Sequence, residues 1–243
     1  MSGNTRVAGI ATIVFALAGI VWFVLEGTPV RLGFEDTDDP SVMIRFIRLH
    51  PGVFVQAGTA LLLMALSLTV AVLAVGDAMG GRDGGRDGLA LRTTSAVGLF
   101  AAALFVFGGA VRVGSSGPLL HMTGLRDAWG EAAYVAAQVV SQAVLIGGLL
   151  CLCLWAVGLS VIGARARVLP LALCLFAVVP GFRVVGVVLG ALGVLGDADI
   201  LWILAIMSIP GSILWCLGLG LVLLRRSFRS SPETAVEPVL AEA

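Results

Sequence analysis

Six long runs of apolar residues constrain this chain more than any other feature. They lie near 7–25, 53–75, 93–113, 132–159, 168–190 and 200–224. A helix of about 20 residues crosses a hydrocarbon core of about 30 Å, so each run is long enough to span a membrane. The runs are continuously apolar rather than alternating with a period of two, which selects helices over a barrel. Composition agrees: 59% of residues are hydrophobic, 12% are charged and the mean hydropathy is +1.06. Soluble domains are about 45–50% apolar and about 25% charged. So little polar surface cannot wrap this much apolar surface, and lipid must be the solvent for much of it. The expected fold is all-α: a polytopic bundle of about six transmembrane helices over 1–229, with a disordered cytoplasmic tail at 230–243.

The first run follows one basic residue, Arg6, and ends in Trp22, Phe23 and Leu25 with no small-residue cleavage site. It reads as a retained first helix rather than a signal peptide. Charge placement then sets the orientation. With the N-terminus inside, Arg6, Arg82, Arg86, Arg92, Arg165, Arg167, Arg225, Arg226 and Arg229 are cytoplasmic. Arg31, Arg45, Arg48, Arg112 and Arg126 are outside. The asymmetry places both termini in the cytoplasm. It also sets Trp22, Trp129 and Trp202 at the outer interface and Trp155 near the inner one. All 15 basic residues are arginine, and Ala, Gly, Val and Leu abound. This points to GC-rich coding and a bacterial cytoplasmic membrane. Fifteen acidic residues balance the arginines, which argues against nucleic acid as a partner. The expected partners are the bilayer, a lipid or small anion, and a protein in the membrane. The repeat Gly80 to Gly88, GGRDGGRDG, reads as a solvated linker.

The first outer connection is the only long one, and Glu35, Asp36, Asp38 and Asp39 make it acidic. Asp39-Pro40 then has the form of an N-cap followed by proline at the first helical position. From Ser41 to Leu49, the polar residues Ser41, Arg45 and Arg48 recur at spacings of four and three, and Val42, Met43, Phe46, Ile47 and Leu49 fill the other side. The pattern predicts a short amphipathic helix on the outer membrane surface. It serves either as a cap over the bundle mouth or as a binding lid.

Motifs that carry chemistry are scarce. Cys151, Cys153, Cys174 and Cys216 lie inside apolar runs and read as small apolar side chains. Gly114-Ser115-Ser116-Gly117 resembles the G-x-S-G of rhomboid proteases. That serine needs a histidine base on a late helix, and the last two runs contain none. The motif is also expected in a connection ending at Pro118. His50 and His121 lack a second ligand at helical spacing and read as interfacial residues. No catalytic residue, metal or cofactor is expected.

The informative polar residues lie inside the apolar runs. Arg183 is sixteen residues beyond Arg167, roughly 24 Å from the cytoplasmic boundary at 1.5 Å per residue. Leaving it unpaired there costs at least about 2–3 kcal/mol. It either snorkels to the outer interface or turns inward to a partner. In the fourth run Glu131, Tyr134, Gln138, Ser141 and Gln142 share one helix face, which must meet protein or water. That face is either hydrogen-bonding glue between helices or part of a pocket. The pocket expected from these residues joins Arg183, Glu131, Gln138, Gln142 and Glu26. Glu131 is the first candidate acceptor for Arg183, Glu26 the second, and carbonyls freed by proline the third. Pro180-Gly181 and Pro210-Gly211 kink the last two helices at similar depth.

The stretches Leu152-Cys153-Leu154-Trp155-Ala156-Val157-Gly158-Leu159 and Arg165-Ala166-Arg167-Val168-Leu169-Pro170 resemble a family of bacterial six-helix membrane proteins, domain of unknown function 4386. The final helix, with Pro210-Gly211 and Arg225-Arg226, is similar to that family too. The resemblance covers about the last hundred residues and implies fold and location without chemistry. The expected function is therefore non-enzymatic: a binding, transport-accessory or membrane-regulatory protein with an outward-facing polar pocket. A membrane enzyme acting on a lipid or envelope substrate, or a structural partner subunit, is the alternative.

Overall fold

The computed structural model describes residues 2–34, 37, 39–79, 86–192 and 198–229. Most of the GGRDGGRDG repeat and the whole 230–243 tail lie outside the described residues. In chain order the helices are α1 (Ser2–Glu26), α2 (Thr28–Arg31), α3 (Pro40–Leu49), α4 (Pro51–Met79), α5 (Arg86–Leu125), α6 (Asp127–Arg165), α7 (Leu171–Phe176), α8 (Val178–Ala191) and α9 (Ala198–Arg229). Among the described residues, six segments are long and apolar enough to cross a membrane: α1, α4, α5, α6, α7 with α8, and α9. The chain is an all-α polytopic bundle.

The spans run alternately up and down, and each packs on the next. α9 closes the ring by packing on α1. Backbone approach makes this closure tight. A Cβ on Gly9 would lie 3.0 Å from the Gly220 carbonyl oxygen, and one on Gly220 would lie 2.9 Å from that of Gly9. The same device joins α4 to α5, where Gly58 and Gly109 face each other. With no water-excluding drive between helices in lipid, close van der Waals contact of this kind holds them together. The interior is filled by Phe15, Leu61, Met64, Leu68, Phe105, Trp155 and Trp215, the last two edge to face at 5.6 Å.

Two helices differ from their expected lengths. The third run, expected at 93–113, lies within α5, which continues through Gly114-Ser115-Ser116-Gly117-Pro118 to Leu125. The expected connection is helix. Ser115 and Ser116 turn their hydroxyls back onto the carbonyls of Arg112 and Val113, and α5 stays packed along α6. At 40 and 39 residues, α5 and α6 are each about 60 Å long, twice a hydrocarbon core. They form a hairpin that outreaches the other spans at the end carrying α3.

The fifth span is broken where proline predicts. Pro180 has no N–H for the Phe176 carbonyl, and the helix is interrupted at Ala177 before α8 continues. α9 runs on through Pro210. The two Pro-Gly pairs meet: a Cβ on Gly211 would run into the Val179 side chain and lie 3.6 Å from Pro180 Cδ.

α3 is a cap docked on the bundle. Asp39 accepts a 2.8 Å hydrogen bond from the Ser41 amide, with Pro40 as the first helical residue. Ile44, Phe46 and Ile47 are buried with Phe34, Phe54, Leu119 and Tyr134. Arg48 fastens the other face, donating to the Thr123 carbonyl at 2.6 Å and pairing with Asp127. The apolar face therefore meets protein, where the amphipathic pattern alone suggested a membrane surface.

Candidate functional site

The polar site forms where the C-terminal end of α1, the N-terminal end of α4, and the middles of α5 and α6 converge beneath α2 and α3. A cavity of about 210 Å³ opens there. Its polar lining is Glu26, Thr37, Arg112, Tyr134, Gln138 and Gln142. Phe46 and Met43 of α3 and Phe54 of α4 supply apolar walls.

Arg112 organises the site. Its residue is 2% exposed, the deepest-buried charge among the described residues. The facing Gly58 and Gly109 allow this: they bring α5 so close to α4 that a Cβ on Gly58 would sit 3.0 Å from Arg112 Cβ. The guanidinium lies over the Phe54 ring, 5.9 Å from its centroid. Nε donates to Ser141 Oγ at 3.0 Å, and Nη1 donates to Glu26 Oε1. Trp22 Nε1 donates to the same carboxylate oxygen at 3.0 Å. Nη2 is buried and has no hydrogen-bond partner. A buried donor left without an acceptor costs about 1–3 kcal/mol, more for a charged group. The guanidinium therefore has donor capacity that the neighbouring side chains do not use.

The geometry brings together three of the five residues expected in the pocket: Glu26, Gln138 and Gln142 line one cavity with Tyr134. Their cation is Arg112 instead of Arg183. The charge count places Arg112 outside although it falls at the end of the 93–113 run, because the Gly and Pro cluster after it reads as a helix end. Its place inside that run was the signal available. Glu131 is half-buried on α6, off the cavity wall.

Arg183 turns inward, 6% exposed, at a second polar seam formed by α6, α8 and α9. Its Nη1 donates to Ser208 Oγ at 3.4 Å. Ser212 Oγ donates to the Ser208 carbonyl at 2.7 Å and lies 3.5 Å from Cys153 Sγ. Cys153 is eleven residues beyond Gln142 on α6, about 16 Å along the axis. Arg183 thus sits at a different depth from the Gln138 and Gln142 amides, while Glu26 is held by Arg112 and Trp22.

The aromatic belt is corrected too. Trp22 and Trp155 are core residues, 4% and 1% exposed, whereas Trp129 is exposed beneath Arg126. The Trp202 side chain lies outside the described residues. His50 packs against Phe46 and Phe34, and Ser115 and Ser116 are committed to helix carbonyls. Among the described residues, no three His, Cys, Asp or Glu side chains gather as a metal cluster. No protein-family model, curated protein or solved structure matches this chain.

Proposed function

We propose that this chain is a ligand-binding integral membrane protein, with a regulatory or transport-accessory role, whose α3-capped cavity holds a small polar molecule or headgroup. The observation that carries the reading is Arg112, a residue of the cavity lining whose buried Nη2 has no acceptor, beside two side-chain amides, a phenol and a carboxylate. A guanidinium edge in a low-dielectric site is a strong, directional receptor for a carbonyl, carboxylate or phosphate oxygen. Gln138 and Gln142 each bring a donor and an acceptor that fix orientation.

The proposal includes orientation. Arg112 is a buried helix residue, so it leaves the loop count. The asymmetry becomes nine arginines at the end carrying both termini against four at the α3 end. That supports cytoplasmic termini and a cavity facing outward. The bacterial cytoplasmic membrane, and kinship of the second half with domain of unknown function 4386, belong to the same proposal.

Calorimetric titration of the detergent-solubilised full chain with glycerophosphoethanolamine and with inorganic phosphate tests it. Saturable binding of either, lost in Gln142→Leu, is expected. Heat indistinguishable from dilution with both probes would overturn the reading.

A further inference from the structure

The polar cavity does not end at its own walls. Leu25 lines it on one side, and on the other lines an apolar groove of about 590 Å³ between α1 and α4. The groove is walled by Val14, Leu17, Val21, Thr59 and Leu63 among others. From Leu25 back to Val14 it follows eleven residues of α1, about 16 Å toward the middle of the bundle. Thr59 removes its own polarity by donating its hydroxyl to the Val55 carbonyl at 2.9 Å. A polar chamber thus adjoins, across Leu25, an open and mostly apolar groove running down the membrane-spanning helices, with the Gln56 amide its one other polar side chain. A phospholipid has that shape and that polarity profile, with its headgroup at the interface and its chain along the hydrocarbon core.

Charge narrows the headgroup. Arg112 and Glu26 form a pair and cancel, so a ligand of net charge would leave an uncompensated charge beside the buried Arg112. The pair nevertheless has two open valences. Arg112 Nη2 has no acceptor, and Glu26 accepts both of its hydrogen bonds on Oε1. A group carrying an anionic oxygen and an ammonium answers both.

Building on the polar-ligand reading above, we infer that cavity and groove together hold one zwitterionic phospholipid. Its phosphate accepts from Arg112 Nη2, its ammonium donates to the second oxygen of Glu26, and one acyl chain lies in the α1–α4 groove. The hollow of about 520 Å³ along α6, α7 and α8 is a useful contrast. Its lining, from Leu154 to Val185, offers no charged side chain, so it can select no headgroup.

The test compares dioleoylphosphatidylethanolamine, dioleoylphosphatidylglycerol and soluble glycerophosphoethanolamine on the full chain in detergent, by native mass spectrometry. Phosphatidylethanolamine should bind at least tenfold more tightly than either competitor. Thr59→Trp, an exposed position that fills the groove, should reduce it to the level of the soluble headgroup and leave headgroup binding intact. Leu17→Trp, also exposed, gives the same test from the α1 side should the first variant fail to assemble. Phosphatidylglycerol binding as tightly as phosphatidylethanolamine overturns the zwitterion. Lipid and soluble headgroup binding equally, or tight lipid binding in the filled groove, overturns the chain site while the polar cavity stands. Binding of none of the three overturns both.

Discussion

Arg112 is an expensive residue to bury, and its surroundings show what offsets the cost. Glu26 supplies charge, Ser141 a hydroxyl, and Phe54 an aromatic face. Removing one member of a buried pair costs about 3–5 kcal/mol because the other charge stays behind. Arg112→Met should therefore lower the melting temperature in detergent sharply. Adding Glu26→Gln to it should recover much of the loss, yet neither variant should bind a headgroup probe. A double variant no more stable than Arg112→Met would show that the pair is not energetically coupled. Arg167 presents a different strain. It closes the α6–α7 turn at φ 54°, a left-handed conformation, while Val168 donates to the Gly163 carbonyl at 2.8 Å. Glycine takes that conformation freely, so Arg167→Gly should stabilise the chain by about 1 kcal/mol, read as a raised melting temperature.

At the scale of elements, two devices place the site. One is the α4–α5 crossing. A Cβ on Gly109 would lie 2.8 Å from the Gly58 carbonyl oxygen, too close for contact, so Gly109→Ala must push the helices apart. Overpacking of this kind costs about 1–3 kcal/mol. It should also weaken headgroup binding, because Arg112 rides on the same turn of α5; unchanged affinity would dissociate the crossing from the site. The other device is α3. Hydrogen bonds from the Ser41 hydroxyl and then its amide hold the Asp39 carboxyl below its ordinary value of 3.8. A lowered pKa means that the folded cap favours the ionised form. Its contribution is complete above about pH 4 and is lost as pH falls through the lowered value. Protection of the first amides of α3 against hydrogen exchange, taken relative to their intrinsic rates, should fall in that acid window, and Asp39→Asn should flatten the dependence.

For the whole molecule, the asymmetry of arginines makes a topological prediction. In a background without Cys151, Cys153, Cys174 and Cys216, a thiol at Thr37 should react with an impermeant reagent added from outside. A thiol at Ala166, exposed in the α6–α7 turn, should react only after the membrane is opened. The reverse pattern would invert the orientation and turn the cavity toward the cytoplasm.

Fold class was written in the one-dimensional pattern. Apolar runs of spanning length leave a backbone in lipid no choice but to satisfy its own hydrogen bonds, and Asp39-Pro40 and Pro180 marked one start and one break. The stripe of Tyr134, Gln138 and Gln142 was legible too, because helical periodicity alone puts those residues on one face. Which cation meets that stripe was decided by tertiary structure. Arg112 and Arg183 are both arginines in apolar helices, and local sequence ranks them by nearby punctuation: the Gly-Ser-Ser-Gly-Pro cluster hid the first. Packing ranks them by depth and neighbour. The Gly58–Gly109 contact seats α5 beside α4 and puts Arg112 level with Glu26 at the end of α1. α8, packed on α6 and α9, carries Arg183 to Ser208 instead. A helix's own sequence fixes which face is polar. Its partner is fixed by how closely neighbouring backbones approach, which depends on small residues on other helices far along the chain.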